Sequence, residues 1–243
     1  MGIAKRWLFP LAFWLCAWQI LALIVDHSFL FPGIPETLAA LENLLTKGSF
    51  YLAVGLSSLR VLLGLMLGIG AGILISALCH YSSTAASLIL PAVSVIKSTP
   101  VASFIILLWV MMSGDALSVF IGFLMVMPVI TQNLIEGYAA IDPGLREVAD
   151  VFDMSPMNRL KLLIIPTLKK YLVPAVITSS GLAWKAEIAA EIIAYTKRSI
   201  GQGINDAKYN MDTPTVFAWT VVIILFSIAL EKITKSLLGR SKK

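Results

Sequence analysis

Long apolar stretches alternate with short polar ones along this chain. Six stretches are apolar for about 20 residues or more, the length that a helix needs to cross a bilayer. They cover residues 7–25, 51–78, 85–112, 117–135, 172–195 and 216–238. The third contains Pro91 and Pro100, which predict a kink or a break there. The pattern predicts an all-α integral membrane protein with about six transmembrane helices.

A short segment after the first apolar stretch has a helical pattern of its own. Within residues 36–45, four leucines recur at the spacing of one helical face: Leu38, Leu41, Leu44 and Leu45. Such a stripe predicts a short amphipathic helix lying on the outer membrane surface.

The loop at residues 139–170 is too polar to cross a membrane, yet it has the signals of ordered structure. An Asp-Pro pair at 142–143 and a Ser-Pro pair at 155–156 are typical of a capping residue followed by a helix start. Arg146 and Asp150 are four residues apart, so we expect them to pair. The loop is predicted to form two short helices joined by a turn.

Composition supports a membrane protein and a single domain spanning residues 1–243. The chain has 58% hydrophobic and 14% charged residues, whereas a soluble domain has roughly a quarter charged residues. The net charge of +5 is not clustered into a face for nucleic acid. Lys and Arg concentrate in both terminal segments and in the 139–170 loop, which predicts that both termini are cytoplasmic.

Neither cysteine indicates a disulfide or a metal centre. Cys16 and Cys79 each lie in an apolar stretch, and neither has other ligand-type residues at metal-binding spacing. The sequence therefore predicts no metal site and no catalytic residue.

Charged residues inside apolar stretches are costly, so they are candidates for function by default. We expect five of them to line a translocation pathway: Arg60, Lys97, Lys185, Glu187 and Glu191. The three cations would suit an anionic solute, whereas the two acids, which share a helix face, would suit a cationic or zwitterionic one. Alternatively, these groups pair with each other and lock the helices together. The sequence leaves these alternatives open.

Three parts of the 139–170 loop lie at a recognisable spacing: Glu147-Val148-Ala149, Asp153 and Leu163-Ile164-Ile165-Pro166. They resemble the EAA loop of binding-protein-dependent ABC importer permeases. Glu147, Ala149 and Pro166 match that loop in type and spacing. Val148 replaces an Ala, and Asp153 replaces a Gly whose place in the turn permits a positive φ; Asp tolerates that conformation better than most residues.

Further stretches resemble the nitrate, sulfonate and taurine branch of these permeases, in the same order and at similar spacing. They are Phe31-Pro32-Gly33-Ile34-Pro35, Ser57-Ser58-Leu59-Arg60-Val61-Leu62-Leu63-Gly64, Pro100-Val101-Ala102, Leu107-Leu108-Trp109, Trp184-Lys185-Ala186-Glu187-Ile188-Ala189-Ala190-Glu191 and Ser199-Ile200-Gly201. Together they extend the resemblance over nearly the whole chain.

The resemblance implies a type I importer permease in the cell membrane, coupled to two separate ATPase subunits that bind ATP and Mg. It also implies a second permease copy, commonly an identical one, and an extracytoplasmic substrate-binding protein. The residues that it implies in ATPase coupling are Glu147, Ala149, Asp153, Ser155 and Pro166. The chain has no Gly-x-x-x-x-Gly-Lys-Ser/Thr loop of its own, which fits a subunit that relies on a separate ATPase.

Two other classes of protein share part of this pattern. A secondary transporter or channel that works without ATP would have the same hydropathy and intramembrane charges, but it would not need the doubly capped loop. An intramembrane enzyme could use Glu187 and Glu191 as a carboxylate pair. However, the two His residues are far apart, and no nucleophile is placed beside a base.

Overall fold

A computed structural model describes residues 3–239 of the chain, and the side-chain surroundings of residues 9–238. All the regular structure in this part is helical. The helices are α1 (Ile3–Val25), α2 (Ile34–Leu45), α3 (Gly48–Tyr81), α4 (Ser83–Ser98), α5 (Val101–Trp109), α6 (Gly114–Ala139), α7 (Pro143–Val151), α8 (Pro156–Arg159), α9 (Ile165–Ile193), α10 (Ile200–Tyr209) and α11 (Thr213–Gly239). A π-helical turn, Leu160–Ile164, joins α8 to α9.

Helices lie at all six predicted stretches. Within the described residues, α3, α6 and α11 are long and apolar enough to cross a membrane, and the bent pair of α4 and α5 makes a fourth if it is one span. The described apolar part of α1, Phe9–Val25, is shorter than a typical span, and α9 carries charged residues along its length. Membrane crossing by α1 and α9 stays a prediction.

The third predicted stretch is broken, as its prolines indicate. Between α4 and α5 the chain bends by 99°. The break lies at Thr99, whose backbone is extended and which is followed by Pro100. A residue before proline is disfavoured in the helical region, so the helix ends there. Pro91, by contrast, lies inside α4 without ending it.

Glycines allow α3 and α6 to pack closely at the centre of the bundle. A Cβ added at Gly68 would lie 2.6 Å from the Cβ of Val126, and one added at Gly72 would lie 2.7 Å from the Cβ of Ile130. A larger residue would push the two helices apart. Because the contacts advance together along both sequences, α3 and α6 run in the same direction.

Helix α9 packs against both α3 and α6, and two apolar cores result. The larger core joins α2, α3, α6, α9, α10 and α11, and it contains Trp184 and Trp219. The smaller core joins α5, α6 and α9 around Ile105 and Ile121. The Trp184 indole N–H donates to the carbonyl of Ile223 at 3.0 Å, so the polar atom of this buried ring is satisfied.

Two short helices flank the long ones. The predicted helix α2 is confirmed: Leu44 is buried and Leu41 is half-buried, whereas Leu38 and Leu45 remain exposed. Its place on the outer membrane surface stays a prediction. Helix α10 was not predicted from the sequence. Its capping residue is Ser199, whose hydroxyl accepts a hydrogen bond from the backbone N–H of Gln202 at 2.9 Å.

Helix α1 is attached to the bundle near its end. The Trp18 indole N–H donates to the carbonyl of Pro32 at 3.0 Å, and the Gln19 side-chain oxygen accepts from the N–H of Ile34 at 2.9 Å. Large side chains earlier in α1, such as Phe9 and Trp14, are exposed. The side chains of the basic residues counted at the termini, Lys5, Arg6, Arg240, Lys242 and Lys243, lie outside the described residues.

Candidate functional site

A buried ionic cluster joins α3, α6 and α9 near one end of the bundle. One nitrogen of the Arg60 guanidinium, Nη1, lies 2.9 Å from the Glu191 carboxylate oxygen Oε1. The other, Nη2, lies 2.7 Å from the Asp115 carboxylate and also donates to the carbonyl of Lys197 at 3.3 Å. Glu191 is buried, whereas Asp115 is exposed. Arg60 therefore bridges a buried acid and an exposed one.

Glu191 has further partners that satisfy its carboxylate. The Ser57 hydroxyl lies 2.8 Å from both carboxylate oxygens, and the backbone N–H of Gly201 donates to one of them at 3.3 Å. The N–H of Ile200 donates to the Ser57 hydroxyl oxygen at 3.0 Å. These amides belong to the start of α10, where the partial positive charge of a helix favours an acid.

Glu187 lies one helical turn from Glu191 and has a different environment. Its side chain is 1% exposed, and neither carboxylate oxygen has a hydrogen-bond partner among the described residues. The carboxylate fills a notch left by glycines on the two neighbouring helices. A Cβ added at Gly122 would lie 1.7 Å from Oε1 of Glu187, and one at Gly64 would lie 2.3 Å away. Glu187 is therefore sterically tied to both α3 and α6.

The structure brings together only part of the predicted pathway set. Arg60, Glu187 and Glu191 lie close together, whereas Lys97 and Lys185 are exposed elsewhere. The Lys97 ammonium donates to the side-chain oxygen of Gln132, whose amide donates in turn to Glu136 at 3.3 Å.

Four other residues at the cluster were not predicted: Ser57, Asp115, Lys197 and Arg198. Ser57 could have been found, because it lies three residues before Arg60 on the same face of α3. The other three reach the cluster through the fold alone, from the first turn of α6 and from the segment between α9 and α10.

An open groove of about 1210 Å³ runs between α3 and α6 from this cluster. Its walls are mostly apolar, with Leu59, Leu63 and Val119 among them. The charged residues that line it are Arg60, Asp115, Lys197 and Arg198. The groove therefore combines apolar walls with one charged end.

The loop at residues 139–170 has the two predicted helix starts. The Asp142 carboxylate accepts from the N–H of Gly144 at 2.8 Å, and the Ser155 hydroxyl accepts from the N–H of Asn158 at 3.4 Å. Helix α7 ends at Val151, and Asp153 then takes a left-handed conformation with φ 51°. Asp153 is thus in the conformation that a glycine would adopt at lower cost.

The predicted pair between Arg146 and Asp150 is wrong. Arg146 instead donates to the carbonyl of Tyr138 at 3.0 Å, and Asp150 pairs with Arg159 at 2.5 Å. The turn at Asp153 folds α8 back against α7, so a cation from the next helix reaches Asp150.

The second helix of the loop also differs from the expectation of a separate short helix. Helix α8 continues through the π-helical turn into α9, which starts at Ile165, seven residues before the predicted stretch at 172–195. Lys169 and Lys170 make this first part of α9 polar, so hydropathy alone did not include it.

Arg159 stabilises this loop by contacting several other residues within it. Besides pairing with Asp150, its guanidinium donates to the carbonyls of Ala149 at 3.1 Å and Met154 at 3.0 Å. Ala149 is buried beneath it. The other loop residues singled out by the sequence are exposed: Glu147, Asp153, Ser155 and Pro166. The loop is a compact projection with an exposed, partly charged surface.

Within the part of the chain that the structure describes, no three His, Cys, Asp or Glu side chains are grouped so that they could hold a metal ion.

Comparisons with known proteins agree on one family. Residues 64–242 match the model of the binding-protein-dependent transport system inner membrane component. A putative aliphatic sulfonates transport permease protein, SsuC of Bacillus subtilis, is 25% identical over 97% of this chain and 84% of its own length. The nitrate import permease protein NrtB of Synechococcus elongatus is 28% identical over 82% of this chain and 75% of its own.

A solved structure has the same fold. The crystal structure of an amino acid ABC transporter with histidines superposes with a TM-score of 0.63, covering 80% of this chain and 92% of the matched one. The sequence identity is 16%, so this likeness concerns the fold alone.

Proposed function

The chain belongs to the family of binding-protein-dependent transport system inner membrane components, and from this premise we propose how it works as an ABC transporter permease. The chain forms part of the passage for a small anionic solute. ATP and Mg are bound by two separate ATPase subunits, and the loop at 139–170 docks onto them. The observation that carries this proposal is the compact projection of α7 and α8, held together by Arg159.

The same projection supports an orientation in the membrane. Arg146, Arg159, Lys161, Lys169 and Lys170 all lie in this loop or at the start of α9. The positive-inside tendency places them in the cytoplasm, where ATP is available. Both chain termini then lie on the cytoplasmic side of the cell membrane, and α2 and α10 lie on the outer side.

A second copy of the chain and an extracytoplasmic binding protein complete the proposed importer. The groove between α3 and α6 is open along one side, so a passage enclosed by protein needs another subunit. Substrate would arrive from the binding protein at the outer face, near α10.

An anionic solute is favoured over a cationic one by the charges that face the groove. Arg60, Lys197 and Arg198 line it together with one acid, Asp115, whereas Glu187 and Glu191 are buried. The names of two relatives, which refer to aliphatic sulfonates and to nitrate, point to the same charge.

A pull-down of the tagged chain under mild detergent tests this proposal. We expect mass spectrometry to find an ATPase with a phosphate-binding loop in the complex. A complex that is reproducibly free of any ATPase would instead indicate a transporter that works without ATP.

A further inference from the structure

The charged end of the α3–α6 groove has an excess of positive charge. Arg60, Lys197 and Arg198 line it as cations, and Asp115 is the acid that lines it. Glu191 balances one of the cations from the buried side. Lys197 and Arg198 have no ion pair with any described residue. Their side chains are therefore available to an anion that enters the groove.

The segment that carries these two cations is held in a defined conformation. Tyr195 and Arg198 are left-handed, with φ 54° and 50°, which side-chain-bearing residues adopt only where their surroundings hold them. Arg60 donates to the carbonyl of Lys197, and the N–H of Arg198 donates to the side chain of Gln202 at 2.6 Å. Because the backbone is already ordered, binding an anion would cost little further backbone entropy in this segment.

The Asp115 carboxylate binds a guanidinium nitrogen of Arg60 that such an anion would also use as a hydrogen-bond donor. The carboxylate lies 2.7 Å from Nη2 of Arg60 and is 75% exposed. The residue is in the first turn of α6, and it contacts a different guanidinium nitrogen from the one that pairs with Glu191. The Asp115 carboxylate is thus an anionic group of the protein itself at the charged end of the groove.

We propose that this end of the groove recognises the charged group of a small organic anion through Lys197 and Arg198, while the Asp115 carboxylate competes with that anion for Arg60. This inference rests on the proposed permease function and names a recognition site within it. Competition by Asp115 weakens binding, which suits transport because a bound solute must also leave.

The walls of the groove specify the rest of the solute. Leu59, Leu63, Val119 and Phe120 lie beyond the charged end. Apolar walls gain free energy by covering an apolar tail, and they offer nothing to a hydrated inorganic ion. The geometry therefore fits an organic anion with a short apolar tail.

Isothermal titration of 1-butanesulfonate into the permease–ATPase complex in lipid nanodiscs tests this site, with empty nanodiscs as the blank. Asp115→Asn should tighten the Kd about fivefold, because it removes one like charge at a water-facing site. Asp115→Glu keeps the charge and should bind like the wild type. The double variant Lys197→Gln, Arg198→Gln should weaken binding at least about tenfold, by loss of two attractive charges. Lys208→Gln is the matched control: Lys208 is exposed on the neighbouring α10 but does not line the groove.

Several results would overturn the inference. They are a Kd that is unchanged or weaker in Asp115→Asn, an unchanged Kd in the Lys197, Arg198 double variant, equal binding of butylammonium, and no binding of 1-butanesulfonate by the wild type. Unfolding temperatures of the variants would show that each is folded. If an ATPase still co-purifies but the anion does not bind, this inference alone is wrong. If no ATPase co-purifies, the proposed function is wrong.

The variant Leu63→Cys, in a chain that also carries Cys16→Ser and Cys79→Ser, gives a second check. Cross-linking between two copies, at the same yield with and without 1-butanesulfonate, would show that the groove is a subunit contact and would overturn the site. Loss of the cross-link in the presence of the anion would support an accessible passage.

Discussion

Glu187 shows how one buried side chain can fix the spacing of three helices. Its carboxylate lies on α9 and fills the space that Gly64 leaves on α3 and Gly122 leaves on α6. A larger residue at either glycine must displace it. The contact is steric, so it should respond to side-chain volume.

Gly122→Ala should destabilise the protein by about 1–3 kcal/mol, the usual cost of overpacking a close contact. The three atoms nearest to the added Cβ all belong to Glu187. Shortening that side chain, as in the double variant Gly122→Ala, Glu187→Ala, should therefore recover much of the loss. Thermal unfolding of the purified protein in detergent measures both effects.

Gly55→Ala is the matched control, because a Cβ there meets nothing within 4 Å. It should leave stability unchanged or slightly higher, since Ala favours helix more than Gly. Full stability of Gly122→Ala, or no recovery in the double variant, would show that Glu187 does not set this spacing.

At the residue scale, spacing in the sequence identified residues but not their partners. The four-residue interval correctly placed Glu187 and Glu191 on one face of α9. It gave no sign that one acid meets an arginine and the other meets glycines, because those contacts come from α3 and α6. The same limit explains Asp150: its four-residue neighbour Arg146 was available, but Arg159 from the next helix takes its place.

Among the elements, the loop of α7 and α8 depends on one left-handed residue. Asp153 has φ 51°, and the chain reverses there so that Arg159 reaches the carbonyl of Ala149. A residue that resists this conformation should loosen the whole projection.

Asp153→Gly should leave α7 unchanged or more stable by up to about 1 kcal/mol, because Gly adopts positive φ without steric cost. Asp153→Val should lose about 1–2 kcal/mol, since a β-branched residue is strained there. Hydrogen exchange of the α7 amides, followed by mass spectrometry, measures this local stability. Asp153→Asn separates charge from conformation and should behave like the wild type. Equal protection in the Val and Gly variants would contradict this account of the turn.

Glu147→Arg should uncouple ATP hydrolysis from uptake while leaving membrane insertion intact. Glu147 is exposed on α7, so the change reverses a charge on the proposed docking surface without disturbing a buried contact. Uptake and ATPase activity measured together in proteoliposomes give the ratio of solute moved to ATP hydrolysed. Glu42→Arg, an equivalent change on exposed α2, should leave that ratio unaltered. Wild-type uptake by the Glu147 variant would remove Glu147 from the coupling surface.

Elements with local signals could be predicted, and elements defined by tertiary contacts could not. Short stretches of sequence determine the caps at Asp142 and Ser155, the apolar face of α2 and the break at Pro100. The π-helical turn after α8 has no such signal. Helix α10 had a local signal, its capping residue Ser199. However, its first backbone amides lie beside Glu191, and no local signal indicates that tertiary contact.

The two candidate sites of the molecule lie at opposite ends of its long helices. The ionic cluster and the charged end of the groove lie near the start of α3 and α6, and the loop of α7 and α8 follows the far end of α6. Because α9 begins beside this loop and carries Glu187 and Glu191 toward the other end, it connects the two. Helix α9 therefore links the loop to the ionic cluster within one continuous helix.

The family and the all-α fold followed from the sequence because the hydropathy pattern and the family resemblance extend over most of the chain. The position of the groove did not, because it depends on which faces of α3 and α6 stay open after packing. Those faces are equally apolar in the sequence, and the fold alone decides which side is covered by α9.

Site-specific cross-linking tests most directly whether the loop of α7 and α8 docks onto an ATPase. A single cysteine replaces Val148, which is 49% exposed on α7, in a chain with Cys16 and Cys79 changed to Ser. A matched chain has its cysteine at Leu38, which is 57% exposed on α2. A short bifunctional cross-linker is added to the complex in its native membrane. We expect an ATPase subunit to be attached at Val148 and none at Leu38. Attachment at Leu38 alone, or at neither position in a complex that contains the ATPase, would contradict the proposed coupling.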